Sequence, residues 1–503
     1  MSEVLDTAAA ETFGPLPESW ATVPLSAVVE AVPNTRPESE PTREFGYIDI
    51  SAIDNRSFRV VDSDIRKFRG ADAPSRARRP IRSGDVLFSN VRTNLRNVAL
   101  VQPGTPAQLC STGFTVLRPT RAVHPRYMLR WVLSDAFIAA VTPQQTGTHY
   151  PATSDRIVLS QAIRLPPIAE QHRIVEKVET LLAQLDAARE RLARVPSILR
   201  RFRQAVLAAA CSGRLTEDWR ATNTSQPVTL PDDEVLGDSR PDATPSTWAW
   251  VPLGTIASRV TDGTHQPPPL ASSGVPFLLI GNIVKGRIDW GAISKWVTNE
   301  TYRRLTARCR PERDDVLYTA VGATFGQALG VDWDHPFVFQ RHIAHIKPRH
   351  ALVHTRFLVI ALSSPSTYAL ATEVARGAAQ PTVTLGDLKR FPVPVPPLAE
   401  QAEIVRRVDN LLTVADAVER RLVAARRRAD MLPQAILARA FSGELVATEA
   451  ELARAEGRDY EPTSVLLERI RVSRATLSPP RAARRRTRGS AQGRRAGRRA
   501  AQR

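Results

Sequence analysis

The chain has 503 residues, 43% of them hydrophobic and 24% charged, the balance of a soluble globular protein. That length suits roughly two to four domains. No apolar run approaches the roughly 18 residues needed to span a bilayer, and the start, MSEVLDTAAAETF, lacks the basic and apolar regions of a secretory leader. Cys110, Cys211 and Cys309 are too widely spaced for a disulfide framework or a paired metal-ligand motif. A reducing, cytoplasmic location is therefore expected. The net charge of +18 points toward nucleic acid. Ten arginines and no acid lie in residues 479–503, however, and 18 − 10 leaves only +8 on the other 478 residues. This Arg-rich tail reads as disordered, with salt-sensitive affinity for any polyanion.

In chain order, residues 1–165 form a first globular region. Its short apolar runs, GDVLFSNV, NVALV and FTVLRP, are broken by turn residues and read as strands. PRYMLRWVLSDAFIAAV reads as one or two helices. Residues 166–216 are helical: Ile174, Val178, Leu181, Leu185, Ala188, Leu192 and Val195 follow a 4,3 spacing that makes a heptad seam. Pro166 and Pro167 suit the approach to a helix start, and the glycine of SGRL suits its far end. Residues 217–247, rich in Pro, Asp, Ser and Thr, read as a linker. Residues 248–395 form a second globular region, with strands in PFLLIGNI, DDVLYTAV and IAHIKP. Residues 396–446 carry a second seam: Ile404, Val408, Leu411, Ala415, Val418, Leu422 and Ala425. Pro196 and Pro433 are expected to split each helical region into a long and a short helix. Residues 447–478 read as a helical extension before the tail at 479–503.

The second half repeats the first. PPIAEQHRIVEKVETLLAQLD at Pro166 matches PPLAEQAEIVRRVDNLLTVAD at Pro396, an offset of 230 residues. The same offset aligns Gly84-Asp85-Val86-Leu87 with Asp314-Asp315-Val316-Leu317, and Ser212-Gly213 with Ser442-Gly443. SWATVPL and TWAWVPL align at 228. A period this long is a domain-scale duplication, not a solenoid. Two matching seams can satisfy each other as a coiled coil. The fold expected is α/β (α+β): two mixed α/β domains separated by two long helices forming an antiparallel coiled coil, with an internal pseudo-two-fold.

The duplicated PPxAEQ…IV…V…LL helix after a variable domain resembles the specificity (S) subunit of Type I restriction-modification systems, the HsdS family. VTDGTHQPPPLASSGVPFLLIGNIVKGRID, the paired GDVLFSNVRTNLRNVALV and DDVLYTAVGATFGQALGV, and the paired TGTHYPATS and RGAAQPTVT fit the same family. The resemblance covers nearly the whole chain. It implies that each variable region is a target recognition domain reading one half of a bipartite, asymmetric DNA site. It also implies two methyltransferase (M) subunits carrying S-adenosylmethionine and, where present, two restriction (R) subunits using ATP and magnesium. No cofactor is expected in this chain itself. A competing reading is a stand-alone DNA-binding or scaffold protein derived from this family. A helix of about 24 residues, from Ala169 to Leu192, would be roughly 36 Å long, about one turn of B-DNA. A heptad added to both helices would then lengthen the spacer of the site.

Chemistry of its own is not legible in the chain. There is no G-x-x-x-x-G-K-[ST] loop and no Asn- or Asp-Pro-Pro-aromatic motif. His342 and His345 in HIAH lie on a presumed strand where they do not converge on a metal. The expectation is a non-catalytic reader. Base-reading side chains are expected on loops, because Arg can clamp guanine and Asn or Gln adenine. In the first half the candidates are Asn90, Arg92, Thr93, Asn94, Arg96 and Asn97, with Thr148, His149 and Tyr150. In the second they are Thr264, His265, Gln266, Thr319, Thr324, Gln327, Gln340 and Arg341. Arg76, Arg78 and Arg79 are the phosphate candidates. Glu170, Gln171, Glu400 and Gln401 have two readings: helix-start capping by dipole interaction, or docking of the M subunits.

Overall fold

The computed structural model describes residues 14–147, 151–224, 226–230, 244–284, 286–307, 310–322, 325–375 and 381–477. Thr148, His149, Tyr150, Cys309, Thr324 and the tail at 479–503 lie outside these. The chain divides into two compact units: residues 1–188 with 428–503, and residues 189–427.

Unit 1 contains, in chain order, β1 (Ala21–Pro24), α1 (Leu25–Val28), β2 (Val29–Glu30), β3 (Glu44–Ile48), β4 (Ile53–Asp54), β5 (Arg59–Val60), β6 (Arg66–Arg69), β7 (Ala77–Pro80), β8 (Val86–Ser89), β9 (Val98–Leu100), β10 (Leu109–Ser111) and β11 (Phe114–Pro119). There follow α2 (Pro125–Val132), α3 (Asp135–Val141), α4 (Asp155–Ser160) and β12 (Ala162–Leu165). The long helix α5 (Ile168–Cys211) starts in this unit and ends in the other. Two four-stranded sheets, β6-β3-β10-β7 and β2-β11-β8-β9, and two hairpin-sized pairs, β1-β12 and β4-β5, make the domain. Among the described strands of this unit only β3 and β10 pair in parallel.

Unit 2 holds α6 (Glu217–Thr222), β13 (Ala249–Pro252), α7 (Leu253–Ile256), β14 (Ala257–Asp262), β15 (Val275–Leu278), β16 (Ile283–Val284), β17 (Arg287–Ile288), β18 (Trp296–Val297), α8 (Asn299–Thr306), β19 (Val316–Thr319), β20 (Ala328–Gly330), β21 (Val338–Phe339) and β22 (Ile343–Pro348). Then come α9 (Thr355–Leu362), α10 (Pro365–Val374), α11 (Leu385–Lys389), β23 (Pro392–Val395) and the second long helix, α12 (Leu398–Ser442). Helices α13 (Glu449–Glu456) and α14 (Thr463–Leu477) return to unit 1. The sheets of unit 2 are β14-β22-β19-β20, β18-β15-β21, β13-β23 and β16-β17. Strand for strand this is the topology of unit 1, again with one parallel pair, β15-β21. The one exception is that α8 stands where unit 1 has β7.

The duplicated GDVL and DDVL motifs do the same work in both units. Asp85 is fully buried, accepts the Arg82 amide at 2.9 Å and takes the Arg118 guanidinium at 2.8 and 2.9 Å. Asp315 accepts the Glu312 amide at 2.8 Å and sits 2.7 Å from His345 Nε2 and 3.1 Å from Lys347 Nζ. Each carboxylate closes the turn before a central strand and is neutralised by a cation from the next strand, as a buried charge requires.

The paired long helices are visible inside each unit. In unit 1, Ile174, Val175 and Val178 of α5 share a core with Leu437, Ala440 and Phe441 of α12, so the start of one helix lies on the end of the other. In unit 2, Val206, Ala210 and Cys211 of α5 share a core with Ile404 and Val408 of α12. Both arrangements are antiparallel. Leu185, Ala415 and Leu422 are buried, while Leu181, Leu192 and Leu411 are half-buried. Val418, 38% exposed, and Ala188, also exposed, depart from the expected seam. Near Val418 the helices are joined by charge instead: the Arg203 guanidinium of α5 reaches Asp416 at 2.8 Å and Glu419 at 2.9 Å of α12.

Two further expectations are corrected. Pro196 and Pro433 lie inside α5 and α12 and do not split them. A proline leaves the carbonyl four residues earlier without its helical donor. For Pro196 that carbonyl belongs to Leu192, and Arg426 of α12 supplies a donor at 3.1 Å. The region expected to be linker from residue 217 begins instead with helix α6, pinned to the domain by Arg220, which bonds the Glu400 carboxylate and, at 2.6 Å, the Gly213 carbonyl. No single helix among the described residues is long and apolar enough to cross a membrane.

Candidate nucleic-acid interface

The PPxAEQ motif, which opens both long helices, is explained by burial. Glu170, Gln171, Glu400 and Gln401 are all completely inaccessible, so none of the four is a docking surface. The Glu170 carboxylate accepts the Trp20 indole N–H at 2.7 Å and the Glu449 amide at 2.8 Å. Burial raises its carboxyl above the ordinary value, against the lowering effect of those two bonds. Glu400 accepts the Trp248 indole at 2.8 Å and the Thr216 hydroxyl at 2.7 Å. The glutamines are matched atom for atom. Gln171 accepts the His124 amide at 2.8 Å and donates to the carbonyls of Ala122 at 2.8 Å and Pro166 at 2.9 Å. Gln401 accepts the His354 amide at 2.8 Å and donates to those of Leu352 at 2.9 Å and Pro396 at 2.8 Å. The motif is thus a staple that fixes each domain to its own helix. Gly213 and Gly443, at φ 78° and 87°, end the helices in the left-handed region. A Cβ on either would come 2.6 Å from Pro245 or Pro17. A surface ion pair repeats as well: Arg126–Glu179 in unit 1 and Arg356–Asp409 in unit 2.

With the helix side of each domain so occupied, the loops at the opposite ends of the central strands carry the remaining polar candidates. In unit 1 the β8–β9 loop turns sharply between Arg92 and Arg96, both non-glycine residues in left-handed backbone at φ 49° and 53°. Such conformations cost about 1 kcal/mol or more each and need support. The support comes from beneath. Thr93 is buried with its hydroxyl 3.0 Å from that of Thr142, and Arg96 is ion-paired with Asp135. Asn90 is also buried: it donates to Asp155 at 3.0 Å and lies 2.7 Å from the Thr115 hydroxyl. Asn90 and Thr93 therefore hold the loop from inside and are not free to meet a base. Arg92 and Asn94 are exposed at its tip, and Asn97 is half-buried. Of the phosphate candidates, Arg79 is spent on Asp155 and Arg78 on Glu38, whose carboxyl it holds below the usual range. Arg76 is exposed.

In unit 2 the candidates converge around the end of β21. Thr264 bridges Gln340 in parallel, and its carbonyl accepts the Arg341 amide at 3.1 Å. This close approach requires Gly263, where a Cβ would fall 2.0 Å from the Phe339 carbonyl oxygen. His265 is exposed 3.0 Å from Asp262, Gln266 is exposed, and Arg341 is exposed beside His342. Thr319 is corrected: it is buried and its hydroxyl accepts the Gln327 amide at 2.9 Å. The Gln327 side chain accepts the Gly286 amide at 3.1 Å. A cleft of about 260 Å³ opens between Asp262, Arg341, His342, Thr382 and Leu385. At the offset of 230, Ala320 and Leu385 of this region stand for Asn90 and Asp155. The place is filled by a polar network in unit 1 and left open in unit 2.

Among the described residues no three His, Cys, Asp or Glu side chains group as metal ligands. His345 of the HIAH stretch is buried against Asp315, and His342 lies outside the strand. Cys110 and Cys211 are buried, and burial pushes the Cys211 thiol up to about 12. Sequence reasoning missed the basic face of α8, although the run YRRLTARCR marked it.

The chain is thus internally duplicated, each copy a mixed α/β domain stapled to a long helix of an antiparallel pair. Residues 277–424 match the family model of the Type I restriction modification DNA specificity domain. The chain is 34% identical over 358 residues to the Type I restriction enzyme EcoBI specificity subunit of Escherichia coli, covering 69% of this chain and 72% of that one. It is 28% identical to the StySPI specificity subunit of Salmonella potsdam, covering 92% and 97%. The HsdS subunit from Thermoanaerobacter tengcongensis superposes with a TM-score of 0.61 at 28% identity, over 86% of this chain and 98% of that one. The chain belongs to the specificity subunits of Type I restriction-modification systems.

Proposed function

We propose that this chain reads a bipartite, asymmetric DNA site, one half with each unit, and recruits methyltransferase and restriction subunits to it without catalysing a reaction itself. The observation that carries the reading is the contrast between the two sides of each domain. The helix-facing side repeats atom for atom through Gln171 and Gln401. The loop between the paired central strands diverges instead: Arg92, Asn94 and Arg96 in the first copy stand against Gly322, Thr324 and Gly326 in the second. Constant chemistry suits constant neighbours, and divergent loops suit two different DNA words. A true dimer would read a palindrome; two diverged halves read an interrupted, non-palindromic site. S-adenosylmethionine and ATP with magnesium belong to the partner subunits in this reading.

The test is to map methylated sites genome-wide in cells with and without this chain. A two-part asymmetric motif that disappears with the chain is expected. Unchanged methylation overturns the reading, as would methyl transfer by the pure chain given DNA and S-adenosylmethionine.

A further inference from the structure

The sheets of the two units agree strand for strand except in one place, the segment between β6 and β8 in unit 1 and between β18 and β19 in unit 2. In unit 1 it forms β7, paired antiparallel with β10. In unit 2 it forms α8, whose Tyr302 and Leu305 pack on Val275, Phe277, Val297 and Val338. That core includes β21, the counterpart of β10, whose next residues are Gln340 and Arg341. The exchanged segment therefore flanks the strand that leads into the unit 2 loop candidates.

The outward face of α8 carries Arg303 and Arg304, both exposed, and Arg310 follows, also exposed. No carboxylate among the described residues pairs with any of the three. Several other arginines of unit 2 are ion-paired, among them Arg313 with Asp334, Arg356 with Asp409 and Arg407 with Asp218. Among the described residues no hydrogen bond or ion pair engages the Arg303 or Arg304 guanidinium. Adjacent helical residues point about 100° apart, so the two cannot both reach one base edge, but they can spread across a phosphate backbone.

We propose that α8 is a phosphate-gripping helix of the second reading unit, with Arg303 and Arg304 positioning the duplex and leaving the choice of bases to the loops. The proposal rests on the DNA-reading function above. It is tested on the full chain purified with its methyltransferase partner, titrated with a mixed-sequence 60-base-pair duplex at several salt concentrations. Arg303→Gln with Arg304→Gln should flatten the log–log salt slope by about 1.8, two contacts at roughly 0.9 each. A four-fold rise in salt would then weaken the variant about 12-fold less than the parent. The Arg303→Lys and Arg304→Lys pair should keep the parental slope, and the methylated motif in cells should stay the same. An unchanged slope, an altered motif, or an equal loss on Arg349→Gln, beyond the far end of β22, overturns the assignment. Failure of the parent complex to bind the duplex at all overturns the DNA-reading function itself.

Discussion

Gln401→Leu keeps the side-chain volume but removes three hydrogen bonds at 2.8, 2.9 and 2.8 Å from a fully buried site. The His354 amide, at the start of α9, loses its acceptor, and the carbonyls of Leu352 and Pro396 each lose a donor. An orphaned buried donor costs about 1–3 kcal/mol, and each weakened carbonyl adds about 1 kcal/mol. Replacing the amide with methyl groups recovers part of this, leaving a loss of about 3 kcal/mol. For a unit of roughly 240 residues, 1 kcal/mol lowers the melting midpoint by about 2–4 °C, so a drop of about 6–12 °C is expected. Calorimetry reads the midpoint, and hydrogen exchange reads the location. Exchange should quicken in α9 for Gln401→Leu and in α2 for Gln171→Leu, each in its own unit. Gln204→Leu, an exposed glutamine on α5, is the reference. If Gln401→Leu melted within 1 °C of that reference and α9 exchanged at the parental rate, the staple argument would be wrong.

Phe441→Ala removes a fully buried ring packed edge-on against Trp131 at 4.8 Å and Tyr127 at 5.5 Å. A destabilisation of about 3–5 kcal/mol, confined to the transition of unit 1, is expected in denaturant unfolding. Asp315→Asn tests the acid response of unit 2. Burial pushes the Asp315 carboxyl up, but His345, the Glu312 amide and Lys347 together hold it below its ordinary value. A depressed acid stabilises the fold above its unfolded value and loses that contribution as pH falls through its folded one. Unfolding titrations below pH 4 should therefore show a shallower acid loss in Asp315→Asn than in the parent.

The long helices and the duplication were legible because their signals are periodic. Ile174, Val178, Ile404 and Val408 repeat at the heptad spacing, and all four are buried. Val418 shows the limit of such reasoning. A seam position stays covered only if the facing helix offers an apolar partner, and spacing within one helix does not show what faces it. The prolines misled for a related reason, since the donor that rescues Leu192 comes from Arg426. Glu170 and Gln171 looked like surface residues at a helix start because nothing local shows that loops 47 to 279 residues away enclose them. Loop candidates sorted themselves only by depth. Asn90, Thr93 and Thr319 share composition with Arg92 and Asn94, and burial alone separates braces from exposed tips.

The staple has a consequence for how this chain can change over generations. Gln171 holds the Ala122 carbonyl and the His124 amide; Gln401 holds the Leu352 carbonyl and the His354 amide. Every one of those partners is a main-chain atom, so the attachment does not depend on which side chains the held loop displays. Alanine already stands in one copy where leucine stands in the other. The side chains of the held loop can therefore differ between the copies while the attachment to the helix stays the same. A replaced domain would need to bring only the same main-chain path to its junction with the helix, not the same side chains.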